Sequence, residues 1–337
     1  MHIFKNPNYD FLRWRWHGFI VSWIIILAGI GVMATKGIQK GLEFAGGTQV
    51  IIQFDQAASV QQVRSALDRS FAGGDLVVQA YGSPEQRQVL VRIPQVGAES
   101  GASLSTTAQT AVDALKKANL GSFKVVGTEI VGPVVGKELT SKGLWATVLS
   151  LVGILIYLGF RFQFSFGVGA VVATIHDLLI TLAFIAFFRY DMTLNVIAAL
   201  LTMTGYSTND TIVIYDRIRE NMRSMRRDSL GDIINASVNQ TLGRTIITSG
   251  TALLTALALF FFGGEVLHGF AFTMVVGIIT GTYSSVFIAA ATVSFWRHQS
   301  AARVPAAAGG GSSTPAPAGA SQQPARRSKP QRKARVS

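Results

Sequence analysis

The sequence predicts a polytopic α-helical membrane protein with six spans and one small α+β domain between the first two. Three observations predict it. Hydrophobic residues make up 49% of the 337-residue chain and charged residues only 14%, against about 25% charged in an ordinary soluble domain. Apolar runs long enough to cross a ~30 Å hydrocarbon core recur along it. Between the first run and the others, residues 37–141 follow strand and amphipathic-helix patterns instead. The mean hydropathy of +0.37 agrees with a membrane protein.

The chain opens with a short basic and aromatic stretch, residues 1–17, holding Lys5, Arg13, Trp14, Arg15 and Trp16. The first span follows over residues 18–36. A cleaved signal peptide is the competing reading of this end. The more hydrophobic spans downstream favour an uncleaved helix with Trp and Arg anchors at its cytoplasmic end.

The inserted domain reads β-α-β-β-α-β. Thr48 to Phe54 is a strand. Ser59 to Phe71 places Val60, Val63, Leu67 and Phe71 at helical spacing, and Gly73-Gly74 breaks it. Asp75 to Tyr81 and Gln88 to Ile93 are strands around Gly82-Ser83-Pro84-Glu85. Ser105 to Asn119 is a second helix, and Phe123 to Val131 the last strand. This order is the ferredoxin-like plan, which says nothing of function by itself.

Residues 142–296 carry five further spans, near 143–160, 167–188, 193–215, 242–262 and 266–295. A basic loop, 216–240, separates the third and fourth of these. Arg161, Arg217, Arg219, Arg223, Arg226 and Arg227 fall on the same side as both termini. The positive-inside rule therefore puts the termini in the cytoplasm and residues 37–141 outside, in the periplasm. Asp191 and Glu265, in short outer loops, are expected to be solvated. The tail, 297–337, is rich in Ala, Gly, Pro and Ser and then basic, so it is expected to be disordered. It holds eight Lys/Arg and no Asp or Glu, a large part of the net charge of +12. That distribution argues against DNA binding; anionic membrane lipid or ribosomal RNA could attract the tail, but a plain solvated tail that aids topology is the favoured reading.

The most expensive choice lies in the fourth span. Asp210 sits inside an apolar run beside Asn209, and a carboxylate at membrane depth costs at least a few kcal/mol. Asp210 precedes Asp216 by about 9 Å of helical rise. Arg244 lies near the cytoplasmic end of the fifth span, so the two side chains are expected at similar depth. Polar residues share faces on both helices: Asn195, Thr202, Tyr206, Asn209 and Asp216 on one, Thr241, Arg244, Thr248, Thr251 and Thr255 on the other. In the third span Gly169, Ala173, Asp177 and Thr181 align, with His176 beside Asp177. In the sixth, Gly269, Thr273, Gly277, Gly281 and Ser285 form a small-residue packing face.

Asp210, Arg244, Asn209, Asp177 and Thr248 are thus the candidate ion-coupling residues, with Gly269, Gly277 and Gly281 as packing positions. Two readings of Asp210–Arg244 stand open. One is a static ion pair; the other is a relay in which Asp210 takes and releases a proton and Arg244 biases its protonation. His176–Asp177 is open between packing and a secondary place on the ion path. No catalytic residue, metal cluster or cofactor motif is read: zero Cys excludes thiolate chemistry, and Gly132 to Lys137 has the wrong spacing for a phosphate loop.

The stretches GYSTNDTIVIYDRIREN (205–221), NQTLGRTIITS (239–249), GPVVGKEL (132–139) and GLEFAGG (41–47) resemble the SecF family. These are the smaller membrane subunits of the bacterial SecD–SecF protein-export auxiliary complex. The motif residues are Gly41, Glu43, Gly46, Gly47, Gly132, Pro133 and Gly136; the family's usual acid at the second position is Asp. The resemblance covers residue 1 to about 298 and leaves the tail outside.

It implies an RND-superfamily fold in the inner membrane, with six helices packed pseudo-symmetrically against six from SecD. It implies partners in SecD, the SecY-E-G channel and the unfolded exported polypeptide. The implied energy source is the proton motive force, with no cofactor and no enzymatic activity. The family's proton-responsive Asp falls on Asp210 and its Arg on Arg244. Two alternatives remain: a scaffold for the translocon without ion flux, and an RND-type small-molecule exporter. The residues leave open whether the ion is H⁺ or Na⁺.

Overall fold

A computed structural model describes residues 7–294, apart from 57, 72–75, 95–100 and 162–163. The Gly73-Gly74 break and the tail 297–337 lie outside the described residues.

Helix α1 (Arg15–Lys36) ends where Gly37 turns to φ 69°, a conformation that favours glycine. A short helix α2 (Leu42–Ala45) leads into strand β1 (Gly47–Phe54). Helix α3 (Val60–Asp68) starts at a capping box between Ser59 and Gln62. Strands β2 (Val77–Tyr81) and β3 (Gln88–Ile93), helix α4 (Gly101–Lys117) and strand β4 (Phe123–Val131) complete the domain. The sheet is antiparallel in the order β2-β3-β1-β4, with a register shift between Ile51 and Ile52 where β1 meets β4. Alternation sends Val50, Ile52 and Phe54 of β1 into one core with Val89, Val91, Val63, Leu67 and Leu115.

Five long helices follow: α5 (Pro133–Arg161), α6 (Phe164–Phe187), α7 (Leu194–Ser224), α8 (Leu230–Phe262) and α9 (Glu265–Ser284). Helix α9 runs on through a π-helical segment, Ser285–Ala289, to Ser294. Among the described residues five helices are long and apolar enough to cross a membrane: α1, α5, α6, α8 and α9. Helix α7 is long enough, but its polar residues hold it outside that set.

Two stretches hold more helix than the sequence reading gave them. Helix α5 begins at Pro133, directly after the last strand, ahead of the span read from about 143. The basic stretch 216–240 is mostly helix. Helix α7 continues to Ser224, supported by Arg217–Glu220 at 2.6 Å and by Asn221 donating to Ser237 of α8 at 2.8 Å. Ser229 then caps α8, accepting from the Asp232 N–H.

The bundle is built on α7, which packs against α6, α8 and α9. Gly277 and Gly281 of α9 lie so close to α7 that an added Cβ would sit 2.4 Å from Met203 Sδ and 2.9 Å from Ser207 Cβ. At Gly269 a Cβ would meet Val196 Cγ2 at 3.2 Å. All three glycines therefore set the α7–α9 approach. On the opposite flank, Thr181 of α6 donates to Met203 Sδ at 3.4 Å, and Asp177 accepts from Ser207.

The sheet domain is tied to the end of the bundle where α6 turns into α7. Gly41 N–H donates to Met192 O at 2.7 Å, and Met192 N–H to Gln39 O at 2.7 Å. Asp191 is not a solvated loop residue: Arg92 of β3 pairs with it at 2.7 Å. Arg92 is 7% exposed and also donates to Lys40 O. Sequence reasoning missed it because the two residues lie 99 positions apart. Glu265 is exposed, as expected.

Candidate functional site

Asp210 occupies the inward side of α7 with Met203, Thr204, Ser207 and Ile214, and is 7% exposed. Both carboxylate oxygens are hydrogen-bonded. Thr245 Oγ1 of α8 donates to Oδ1 at 2.9 Å, and Ser285 Oγ of α9 donates to Oδ2 at 2.8 Å. The carboxylate thus joins three helices, and its direct contacts are hydroxyls.

Arg244 makes no ion pair with Asp210 within 4.0 Å among the described residues, and its side chain lies on the exposed flank of α8. Thr248, also exposed, donates back to the Arg244 and Thr245 carbonyls of its own helix. Asn209 is exposed on α7. Arg244 therefore acts on Asp210 through space, without a direct ion pair. A 100° step per residue puts neighbours 209 and 210, or 244 and 245, on different faces.

The polar faces fall into two sets. Thr202, Asn209 and Asp216 of α7, with Arg244, Thr248, Thr251 and Thr255 of α8, point away from the chain's own core. Thr241, Thr245 and Ser249 of α8 point inward. The inward set repeats every four residues from Thr241, a signal present in the sequence but overshadowed by the arginine one step around. Ser285 was legible as a packing residue, but its bond to Asp210 was not.

Asp177 of α6 is fully buried. It meets His176 Nδ1 at 2.9 Å and accepts from Ser207 Oγ at 2.5 Å. Ser207 lies one helical turn before Asp210. Two acidic groups on adjacent helices are therefore joined through a single turn of α7.

Ser285 is also the first residue of the π-helical segment, and Tyr215 of α7 donates to Ala289 O, the last, at 3.1 Å. Helix α7 thus holds the π segment at both ends. Such segments interrupt the regular i→i−4 ladder and occur often at functional sites. The Ser285 hydroxyl has a second acceptor at hand, Thr282 O at 3.0 Å.

The motif glycines sit at the junction with the sheet domain. Gly46 and Gly47 have φ of 72° and 121°, which side chains rarely adopt. Pro133 opens α5, one residue after Gly132. A Cβ on Gly136 would lie 3.3 Å from Glu43 O, so α5 and α2 approach by backbone. Glu43 lines a cleft of about 390 Å³ between sheet and bundle, with Tyr81, Glu129, Asp191 and Glu265. Burial, and then the carboxylates of Glu265 and Glu129, pushes the Tyr81 hydroxyl above its usual range. Among the described residues no group of three His, Cys, Asp or Glu side chains is arranged to hold a metal ion.

Comparison with known proteins places these features. Residues 110–299 match the family model described as protein export membrane protein SecD/SecF, C-terminal, and residues 31–58 match the SecD/SecF GG motif. The chain is 43% identical over 281 residues to protein translocase subunit SecF of Vibrio alginolyticus, covering 83% of this chain and 87% of the relative. It is 43% identical to SecF of Pseudomonas aeruginosa over 85% of this chain and 90% of the relative. For SecF of Escherichia coli O157:H7 the identity is 38%, with 84% and 86% covered. Among solved structures, the translocon-associated membrane protein SecDF of Thermus thermophilus superposes with a TM-score of 0.76 at 34% identity. That match spans 87% of this chain and 39% of the SecDF chain. A second SecDF structure, in a super-membrane-facing form, superposes at 0.65 and 34% identity. With GLEFAGG at the domain junction and GYSTNDTIVIYDRIREN wrapped around the buried Asp210, the chain belongs to the SecF family of protein translocase subunits.

Proposed function

We propose that this protein is an accessory subunit of the Sec protein-export machinery, and that Asp210 couples ion flow to a change in helix packing. The naming of its relatives supports the first part. The second rests on one observation above all: a carboxylate buried in the bundle whose two oxygens are held by hydroxyls from two other helices.

An ionised carboxylate only accepts hydrogen bonds, whereas a protonated one also donates. Protonation of Asp210 therefore obliges Thr245 or Ser285 to change its bond. Ser285 has Thr282 O as an alternative acceptor, so its hydroxyl can turn away and receive the new proton's bond. That exchange falls on the first residue of the π segment, where helix geometry is already irregular. The two protonation states then favour different packings of α7, α8 and α9, which an ion-coupled device requires.

The architecture proposed is six spans, with α7 the sixth, shielded by its neighbours in spite of its polar residues. The sheet domain, 37–141, is ferredoxin-like by strand order and lies in the periplasm. Residues 1–17, the 216–240 turn with its helix ends, and the tail 297–337 lie in the cytoplasm, and the protein resides in the inner membrane. The outward polar faces of α7 and α8 would be costly against lipid. SecD is the partner that covers them, with Arg244 and Asn209 at that seam. The SecY-E-G channel and the emerging unfolded polypeptide complete the proposed partners. The proton motive force is the energy source, without cofactor or enzymatic step.

A scaffold reading has one observation in its favour: Asp210 is already fully hydrogen-bonded, as a static brace would be. Export into inverted vesicles separates the two. In the coupled reading, Asp210→Asn co-purifies with SecD and loses the gradient-stimulated part of export. Full stimulation by that variant supports the brace.

A further inference from the structure

Asp177 and His176 form a second buried titratable group that the exchange at Asp210 does not use. Asp177 is 0% exposed and His176 8%. The carboxylate is occupied on both sides, by His176 Nδ1 at 2.9 Å and Ser207 Oγ at 2.5 Å. The other imidazole nitrogen, Nε2, is buried without a hydrogen-bond partner.

This arrangement fixes the chemistry of the ring. A carboxylate beside Nδ1 accepts a hydrogen bond from it, so the neutral imidazole is held as the Nδ1–H tautomer. Nε2 then carries a lone pair and no proton. A buried acceptor without a donor loses its hydration without compensation, and a structural histidine normally avoids it. The same arrangement suits a base: an acidic neighbour orients the imidazole on one side and stabilises the cation formed on the other.

We propose that His176 is a second proton-accepting site within the helix bundle, with Asp177 as its positioning residue. The proposal rests on the reading of Asp210 as the coupling carboxylate and adds a second station to it. The step is a single proton transfer. Nε2 gains one proton from water or a neighbouring donor, no other bond is made or broken, and the pair goes from net −1 to neutral. The ligand is a proton: an imidazole lone pair takes H⁺, whereas alkali and alkaline-earth cations prefer oxygen.

The surroundings define what the site senses. From α9, the ring of Tyr283 lies 6.3 Å from the imidazole, centroid to centroid. From α1, Ser22 shares a hydrogen bond of 3.3 Å with the Tyr283 hydroxyl. From α7, Ser207 reaches the pair through Asp177, and Asp210 is the next titratable group along that helix. Among the described residues the only ion pair made by His176 is with Asp177. Protonation at Nε2 alters the charge felt by Asp177 and hence its bond to Ser207. The turn of α7 from Ser207 to Asp210 carries that change to the first site.

The test uses the full chain with its SecD partner in lipid bilayers, with ¹⁵N-labelled histidine. The signal missing from the His176→Gln sample identifies the imidazole. The proposal predicts a neutral Nδ1–H tautomer at pH 9 and a doubly protonated ring at pH 5. Asp177→Asn converts the neutral form to the Nε2–H tautomer. Gradient-stimulated export by the co-purified His176→Gln complex falls by roughly tenfold or more, as expected for loss of a positioned proton carrier. A ring with one protonation state from pH 5 to 9 overturns the proposal, as does a tautomer unchanged by Asp177→Asn. Asp210→Asn separates the two readings. If that variant retains stimulation, the Asp210 reading falls whatever His176 does. If it loses stimulation while His176 does not titrate, only the present proposal falls.

Discussion

Thr245 Oγ1 donates to Asp210 Oδ1 at 2.9 Å, while Arg244, the residue before it in α8, lies about 100° around that helix on an exposed flank. The direct hydrogen bonds to the buried charge therefore come from hydroxyls of this chain, while the guanidinium acts on it through space.

That division makes Thr245 and Thr248 unequal. Thr245→Val removes a hydrogen bond to a charged group, worth about 1.5–3 kcal/mol, and keeps the side chain's volume. Gradient-stimulated export in inverted vesicles is expected to fall towards the level of Asp210→Asn. Thr248→Val removes only a bond to its own helix backbone and is expected to retain most of the stimulation. Equal losses would mean that the inward face of α8 has been assigned wrongly.

Close approach between α9 and α7 depends on Gly281. A Cβ there would lie 2.9 Å from Ser207 Cβ, so Gly281→Val must push the helices apart, at about 1–3 kcal/mol for overpacking. The expected result is a lower thermal midpoint for the purified complex, with Gly281→Ala intermediate. Gly153, which has nothing within 4 Å of an added Cβ, serves as the control. A Gly153→Ala variant is expected to match the wild type.

The sheet domain is joined to the bundle through Arg92 and Asp191. Arg92→Ala leaves a partly buried carboxylate unpaired, with a loss of about 2 kcal/mol, discounted because Asp191 keeps some solvent. Limited proteolysis of the connection near Gly41 is expected to quicken in Arg92→Ala and in Asp191→Asn. The double variant should be no worse than either alone. Additive effects would show that the pair is incidental.

The outward polar face of α8 predicts a binding defect of its own. Thr251→Trp places a bulky ring where Arg244, Thr248 and Thr255 share a surface, and co-purification with SecD is expected to drop about tenfold. Retention at the wild-type level would mean that SecD binds elsewhere.

Much of this was readable beforehand, for physical reasons. Strand alternation in residues 47–54 and 88–93 reports which side chains enter the core, and the glycine spacing of α9 reports a close helix contact. Other features were not. Both flanks of α8 are polar, so composition does not tell the face that meets Asp210 from the exposed face. The spacing of 241, 245 and 249, which carries the direct contact, competes with 241, 244 and 248, on which the arginine lies. Charge also hid the helix ends. Arg217 to Ser224 reads as a loop, yet Asn221 and Ser237 bind across α7 and α8, and helix continues beneath the charges. The Arg92–Asp191 pair joins distant parts of the chain, which no local pattern reports.

The central claim is that Asp210 changes protonation as ions pass through the complex. A pH jump across inverted vesicles carrying this subunit and SecD tests it most directly, with proton flux compared between the wild type and Asp210→Asn. The account predicts flux in the wild type and background flux in the variant, at equal amounts of assembled complex. Equal flux from the two would contradict it.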